Sequence, residues 1–221
     1  MTPFDPRSIP GQRIHTPQQV PDAVWSADAL RERFLLPPNW KPEKIGEGWT
    51  SADPVRSAAV LVGLVLREHG ATVWLTERSA HLRAHGGQIS FPGGTQDVTD
   101  GSAQVTAIRE AGEEIGLPVD AVEVLGTLPL HVTGTGFAIT PVVGLVAPDF
   151  VPLGNPEEVA AVFEVPMRHL MDGRNHTFHE AVLGGRVRHW YAMPYSDGHQ
   201  ERYIWGATAA ILRNLQQFLL A

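Results

Sequence analysis

The chain contains no cysteine. Disulfides, thiolate nucleophiles and cysteine-held metals are therefore excluded. Lysine is nearly absent as well: Lys41 and Lys44 are the only two, so positive charge is carried by arginine. No run of basic residues occurs, which argues against a nucleic-acid surface. No stretch approaches the roughly 18 uninterrupted apolar residues of a membrane span. The opening MTPFDPRSIPGQ lacks the apolar segment of a secretory signal. These absences lead to the expectation of a cytoplasmic protein that engages neither membrane nor nucleic acid.

What is present suits one folded unit. The 221 residues are 43% hydrophobic and carry a net charge of −7, which supplies a core and argues against disorder. Residues 1–50 read as an N-terminal arm and helix that extend the domain. The arm is rich in proline and glutamine, and Asp22–Leu36 forms a helix with Val24, Leu30, Phe34 and Leu35 on its apolar side. Packing of this arm across a second copy would make a homodimer. Residues 51–221 form the main domain. Ala58–Leu66 and Thr72–Glu77 read as a hairpin, and Gln88–Phe91 as a short strand ahead of the turn Pro92-Gly93-Gly94. Ser102–Ile115 is a helix capped by Ser102 and ended by Gly116. Further strands follow at Val122–Leu130, Ile139–Val146, Val159–Val165, Arg186–Met193 and Glu201–Trp205. Ala207–Leu220 closes as a helix with Ala210, Ile211, Leu215, Phe218 and Leu219 inward. Strands on both sides of one helix, plus this last helix, give an α/β chain with a mixed sheet between helices, an α/β/α layering.

The helix Ser102–Ile115 carries the chemistry. At about 100° per residue, Glu110, Glu113 and Glu114 share an arc of about 100°, while Val105, Ile108 and Ile115 face the core. Three clustered carboxylates repel one another, and a hard divalent cation, Mg²⁺ or Mn²⁺, offsets that repulsion. A bare acidic helix face is common on soluble proteins. Here it follows Gly93 and Gly94, which permit close backbone approach, and Arg109 points away from the acidic arc, placed to brace that loop.

These residues resemble the Nudix box, G-x5-E-x7-R-E-U-x-E-E-x-G-U, with U aliphatic. Arg109 to Leu117 matches its second half. The first half departs, with Asp100 in place of glutamate and one residue more before Arg109, which leaves the role of Asp100 open. Leu75 to Gly94, LTERSAHLRAHGGQISFPGG, is similar to the added motif of the coenzyme A pyrophosphatase branch. Thr140–Gly144, Asn155–Val159 and Ile204–Ala209 are similar to it too, so the likeness spans about residues 55–220. It implies a Nudix-type sandwich that cleaves the phosphoanhydride of coenzyme A or its derivatives to 3′,5′-ADP and 4′-phosphopantetheine. It implies metal binding by Glu110, Glu113 and Glu114. It further implies a general base at Glu113 or, from outside the box, Glu158. Substrate contacts would come from Arg78, Arg83, His85, Gln88, Gly93 and Gly94, with Phe137 placed to stack on adenine. Arginine suits such anions because it can bind two oxygens at once. Two other readings remain open: hydrolysis of another nucleoside diphosphate derivative such as ADP-ribose or NADH, and a nucleotide-binding sensor without turnover.

Overall fold

The computed structural model describes residues 4–14, 18–44, 54–81 and 86–221. Among these, twelve strands and four α-helices form in chain order. They are β1 (Gln12–Arg13), α1 (Ala27–Leu35), β2 (Arg56–Arg67), β3 (Gly70–Arg78), β4 (Ile89–Ser90), β5 (Gly93–Thr95) and α2 (Ala103–Ile115). Then come β6 (Val122–Thr127), β7 (His131–Val132), β8 (Phe137–Val146), β9 (Val159–Pro166) and α3 (Met167–Leu170). The chain finishes with β10 (Thr177–Leu183), β11 (Arg186–Ser196), β12 (Glu201–Trp205) and α4 (Gly206–Leu220). No helix among the described residues is long and apolar enough to cross a membrane.

An eight-stranded mixed sheet is the middle layer, ordered β4-β3-β2-β8-β6, with β5 also on β2, β7 on β8 and β9 on β3. β2 and β8 run parallel, from Arg56↔Phe137 to Leu64↔Leu145; the other pairs are antiparallel. β2 is buried along most of its length because both faces are covered, as a central strand requires. Its side chains alternate. Ala59, Leu61 and Val65 lie under α2 with Ala107, Ala111 and Ile115, while Val62 and Leu64 face the opposite core, which holds Ile211, Leu212, Leu215 and Phe218 of α4. The α/β/α layering is thus observed.

One feature of the sheet positions the site. The expected hairpin exists, but β3 pairs with β2 only from Leu64↔Val73 to Arg67↔Gly70. β9 lines β3 from Thr72 to Arg78; beyond Val73, β4 joins β3 at Thr76 and Glu77, and β5 pairs with β2 at Ala58–Val60. The substitution of one partner strand by another opens the sheet beside Gly93.

Several expectations need correction. The helix Asp22–Leu36 is broken: residues Asp22–Trp25 make a 3₁₀ turn, and α1 starts after Ser26, whose side chain accepts the N–H of Ala29. This cap shifts the helix face, so Leu30 is fully buried while Leu35 is 77% exposed. In α2, Val105 is on the surface. The small residues Ala107 and Ala111 face the sheet instead and let the helix sit close to β2. A second antiparallel sheet, β1-β10-β11-β12, was not foreseen, because TFHEAVL in β10 lacks clean alternation. The signal was Gly184-Gly185, a two-residue turn with positive φ at both positions, as such hairpins demand.

Described residues before 51 pack on the core of the same chain. Val20 and Leu30 belong to the α4-side core. Glu43 accepts from Tyr191 Oη at 2.9 Å and from Arg213 Nη2 at 3.0 Å. Its backbone exchanges two hydrogen bonds with the Asn214 amide, at 2.8 and 3.1 Å.

Candidate active site

The floor of the site is main chain. The N–H of Gly93, at φ +155°, donates to Glu114 Oε2 at 3.2 Å. A Cβ on Gly93 would lie 2.6 Å from Val60 Cα, and one on Gly94 would lie 2.5 Å from Glu110 Cδ. Any side chain at either position would displace β2 or a carboxylate. We expect Gly94→Ala to push the Glu110 carboxylate aside and lower kcat by about 100-fold, the scale of a 1 Å misplacement. A stopped-time assay reading near wild-type kcat would refute this.

Arg109 ties the loop to the helix. Its Nη2 donates to Thr95 O at 3.2 Å and Asp100 Oδ2 at 2.9 Å, and Nε reaches Asp100 Oδ1 at 3.1 Å. The same guanidinium pairs with Glu110 at 2.8 Å and Glu113 at 3.1 Å. Asp100 also accepts the N–H of Asp97 at 2.9 Å. These bonds, Arg109 foremost, hold the Asp100 carboxyl well below the usual carboxylate range. Asp100 is thus the anchor of the Gly94–Ser102 loop, the part its position in the sequence left open.

The three helix glutamates occupy different environments. Glu114 is 2% exposed, and burial pushes its carboxyl up to about 7. The Gly93 hydrogen bond and the Arg78 charge oppose that shift; the charges of Glu158 and Glu110 add to it. Glu110 is raised by burial, partly offset by Arg109, with Glu113 and Glu158 repelling it. The Glu113 side chain is 55% exposed and lies on Arg109. It adjoins Glu114 in the chain and its charge still acts on Glu110, but it is the most exposed of the three and is paired with Arg109.

Glu158 reaches that set through three backbone links. Asn155 N–H donates to Glu114 O at 2.9 Å, Glu158 N–H to Asn155 O at 3.0 Å, and Ser79 N–H to Glu158 O at 2.9 Å. The turn before β9 is thereby hung between α2 and the end of β3. Arg78 sits at that end, its Nη1 3.5 Å from Glu114 Oε1. Its backbone N–H donates to Gln88 O at 3.0 Å. Arg83 and His85 lie outside the described residues. Among the described residues no three acidic or histidine side chains stand arranged as a ready metal cage; Arg109 occupies two of the candidates. The donor chemistry nonetheless fits a hard cation: a buried carboxylate raised toward neutrality, faced by two more, has only Arg78 and one N–H to offset it.

A cavity of about 760 Å³ opens over Arg78, Gly93 and Gly94. On the β8 side it is walled by Phe137, half-buried, with the Arg56 guanidinium 4.0 Å above its ring. His131 stands nearby, its pKa lowered by burial and so its ring neutral near pH 7. The other wall comes from the second sheet, through Arg188, Trp190 and Trp205. Sequence reasoning missed Arg56, His131 and this whole second wall. Arg56 could have been found from its alignment with Phe137 across the parallel pair.

The fold and the site together define an α/β/α hydrolase. The chain belongs to the Nudix domain family, whose model matches residues 55–184. It is similar to the uncharacterized Nudix hydrolase NudL of Escherichia coli strain K12, 43% identical over 161 residues that cover 72% of this chain and 81% of that one. NudL of Shigella boydii serotype 18 is 42% identical over the same shares. Among solved structures, the Nudix hydrolase RenU of M. smegmatis is 25% identical, covering 55% of this chain and 81% of that chain with a TM-score of 0.45.

Proposed function

We propose that this Nudix hydrolase cleaves the phosphoanhydride of coenzyme A or a derivative, giving 3′,5′-ADP and 4′-phosphopantetheine. The observation that carries the reading is the cavity. Its floor is the Gly93–Gly94 main chain with Arg78 beside it, and these three touch the acidic cluster behind, through Glu110 and Glu114; Arg56 and Arg188 stand farther along, and both walls offer ring surfaces. A ligand with a central anhydride, a separate phosphate and an arm on each side suits that layout. The likeness of Leu75–Gly94 to the coenzyme A pyrophosphatase motif supports the same substrate.

A divalent cation such as Mg²⁺ or Mn²⁺, held by Glu110 and Glu114 with Glu113 adjoining, would neutralise phosphate charge and acidify a water. The residues of the chain account for the rest. Arg78 and the Gly93–Gly94 backbone orient the anhydride. Glu158 takes a proton from the attacking water as its oxygen bonds to phosphorus, and the bridging oxygen leaves with the electron pair as phosphate. Glu158 is favoured over Glu113 as base because its charge acts on both Glu110 and Glu114, whereas that of Glu113 acts on Glu110 and its carboxylate is paired with Arg109. Phe137 and neutral His131 receive the base of the nucleoside, and Gln88 adjoins the anhydride from the cavity rim.

The test compares metal-dependent release of 3′,5′-ADP from coenzyme A with AMP release from ADP-ribose and NADH. Coenzyme A is expected to lead by at least about tenfold in kcat/KM. Faster AMP release would overturn the substrate and leave the reaction class standing.

A further inference from the structure

We propose that Phe4, Trp190 and Trp205 form a subsite for an apolar chain borne by the substrate on the side of the anhydride away from the nucleoside. The sheet order places it. The cavity runs across β8, β2, β3 and β4, with Phe137 over the β8 end and Trp205 beside Ile89 at the β4 end. Gly93 and Gly94, on β5, lie between the two. A ligand whose base rests on Phe137 therefore directs its other arm toward the tryptophans.

The three rings form one cluster. Phe4 stands edge-on to Trp190 at 5.7 Å and to Trp205 at 6.4 Å, and the two indoles are 6.3 Å apart. Trp190 is buried, but Phe4 keeps 41% of its surface exposed, and it borders the cavity. A phenyl ring packed on its edges and left open toward a cavity presents apolar surface that a ligand chain can cover. Its placement is not casual. Ile9 O accepts from His179 Nδ1 at 3.0 Å, and that imidazole stacks on Trp190 at 5.3 Å. Arg7 lies over the Tyr203 ring at 5.5 Å, and Gln12 pairs with Phe178. The N-terminal segment is thus fastened to the second sheet, and Phe4 is delivered to the cavity edge.

All three rings lie outside residues 55–184, the part the family model matches. Trp205 belongs to the Ile204–Ala209 stretch that resembles the coenzyme A pyrophosphatase branch, while Phe4 lies outside that likeness altogether, so Phe4 suits selection among substrates rather than the shared chemistry. The inference rests on the coenzyme A reading for the identity of the chain: an acyl group in thioester linkage.

The test uses the full-length chain, wild type and Phe4→Ala, with coenzyme A and S-octanoyl coenzyme A as substrates. Calorimetric titration with 4′-phosphopantetheine and its S-octanoyl form reads binding alone. The wild type is expected to favour the octanoyl substrate by about tenfold in KM. Phe4→Ala is expected to raise KM for it at least about fivefold more than for coenzyme A, with little change in kcat. Phe4→Asp, which sets a charge against the chain, should enlarge that difference. Equal KM values for the two substrates in wild type, or equal losses on both in the variants, would overturn the subsite and leave coenzyme A hydrolysis intact. Hydrolysis of neither substrate, with octanoyl binding still tighter and dependent on Phe4, would remove the coenzyme A reading and keep the subsite.

Discussion

Glu114→Gln is expected to lower turnover on the order of 10²–10³-fold, the scale seen when one electrostatic partner of a reacting group is removed, without unfolding the protein. Glutamine keeps the shape and can still accept the Gly93 N–H, so the loss isolates the charge. Stability should move the other way. Burial pushes the Glu114 carboxyl up to about 7 from an ordinary 4.5. Between those values the folded chain holds a proton that the unfolded chain has released. The contribution of this group is therefore fully present below about pH 4.5 and is lost as pH rises through 7. At about 1.4 kcal/mol per unit, the loss approaches about 3.5 kcal/mol in metal-free protein. Melting curves at pH 5 to 8 in EDTA should show that decline in wild type and not in Glu114→Gln. At pH 8 the variant should melt about 5 °C higher. Full turnover in the variant would remove Glu114 from the chemistry. A lower melting temperature at pH 8 would show that its burial carries no penalty.

Removal of residues 1–50 is the second large effect. It should yield a chain that is insoluble or melts at least about 10 °C lower, because it opens the α4-side core where Leu30 and Val20 sit and unpairs Arg213, Tyr191 and Asn214 from Glu43. Leu30→Ala alone should cost about 3 kcal/mol, within the usual range for a leucine emptied from a packed core. Calorimetry decides the matter. A truncated chain with wild-type melting would show that the main domain stands alone and that these contacts contribute nothing.

The elements with strong periodicity were readable from sequence, and those shaped by tertiary contact were not. α2 and α4 follow from spacing, caps and Gly116. Glu110, Glu113 and Glu114 were legible as a group, since the helical repeat sets their angles. Their division into a buried, an intermediate and an exposed carboxylate was not legible. It depends on Gly93 donating to one and Arg109 drawing off another, both set by a strand that joins β2 only after β3 departs. Asp100 looked like a defect in a motif and is a brace. The second wall of the cavity stayed hidden because β10 was not recognised, and without it Trp190 and Trp205 have no reason to face the site.

The chain does without cysteine and nearly without lysine, and at Gly93 and Gly94 it does without single atoms. What those positions contribute is the missing Cβ. A floor made of peptide groups offers no side chain to vary, so mutation there can only subtract. Divergence toward new substrates, by evolution or by design, has to begin on the walls, where Phe137, Arg56 and the second sheet present replaceable surfaces over a main-chain base.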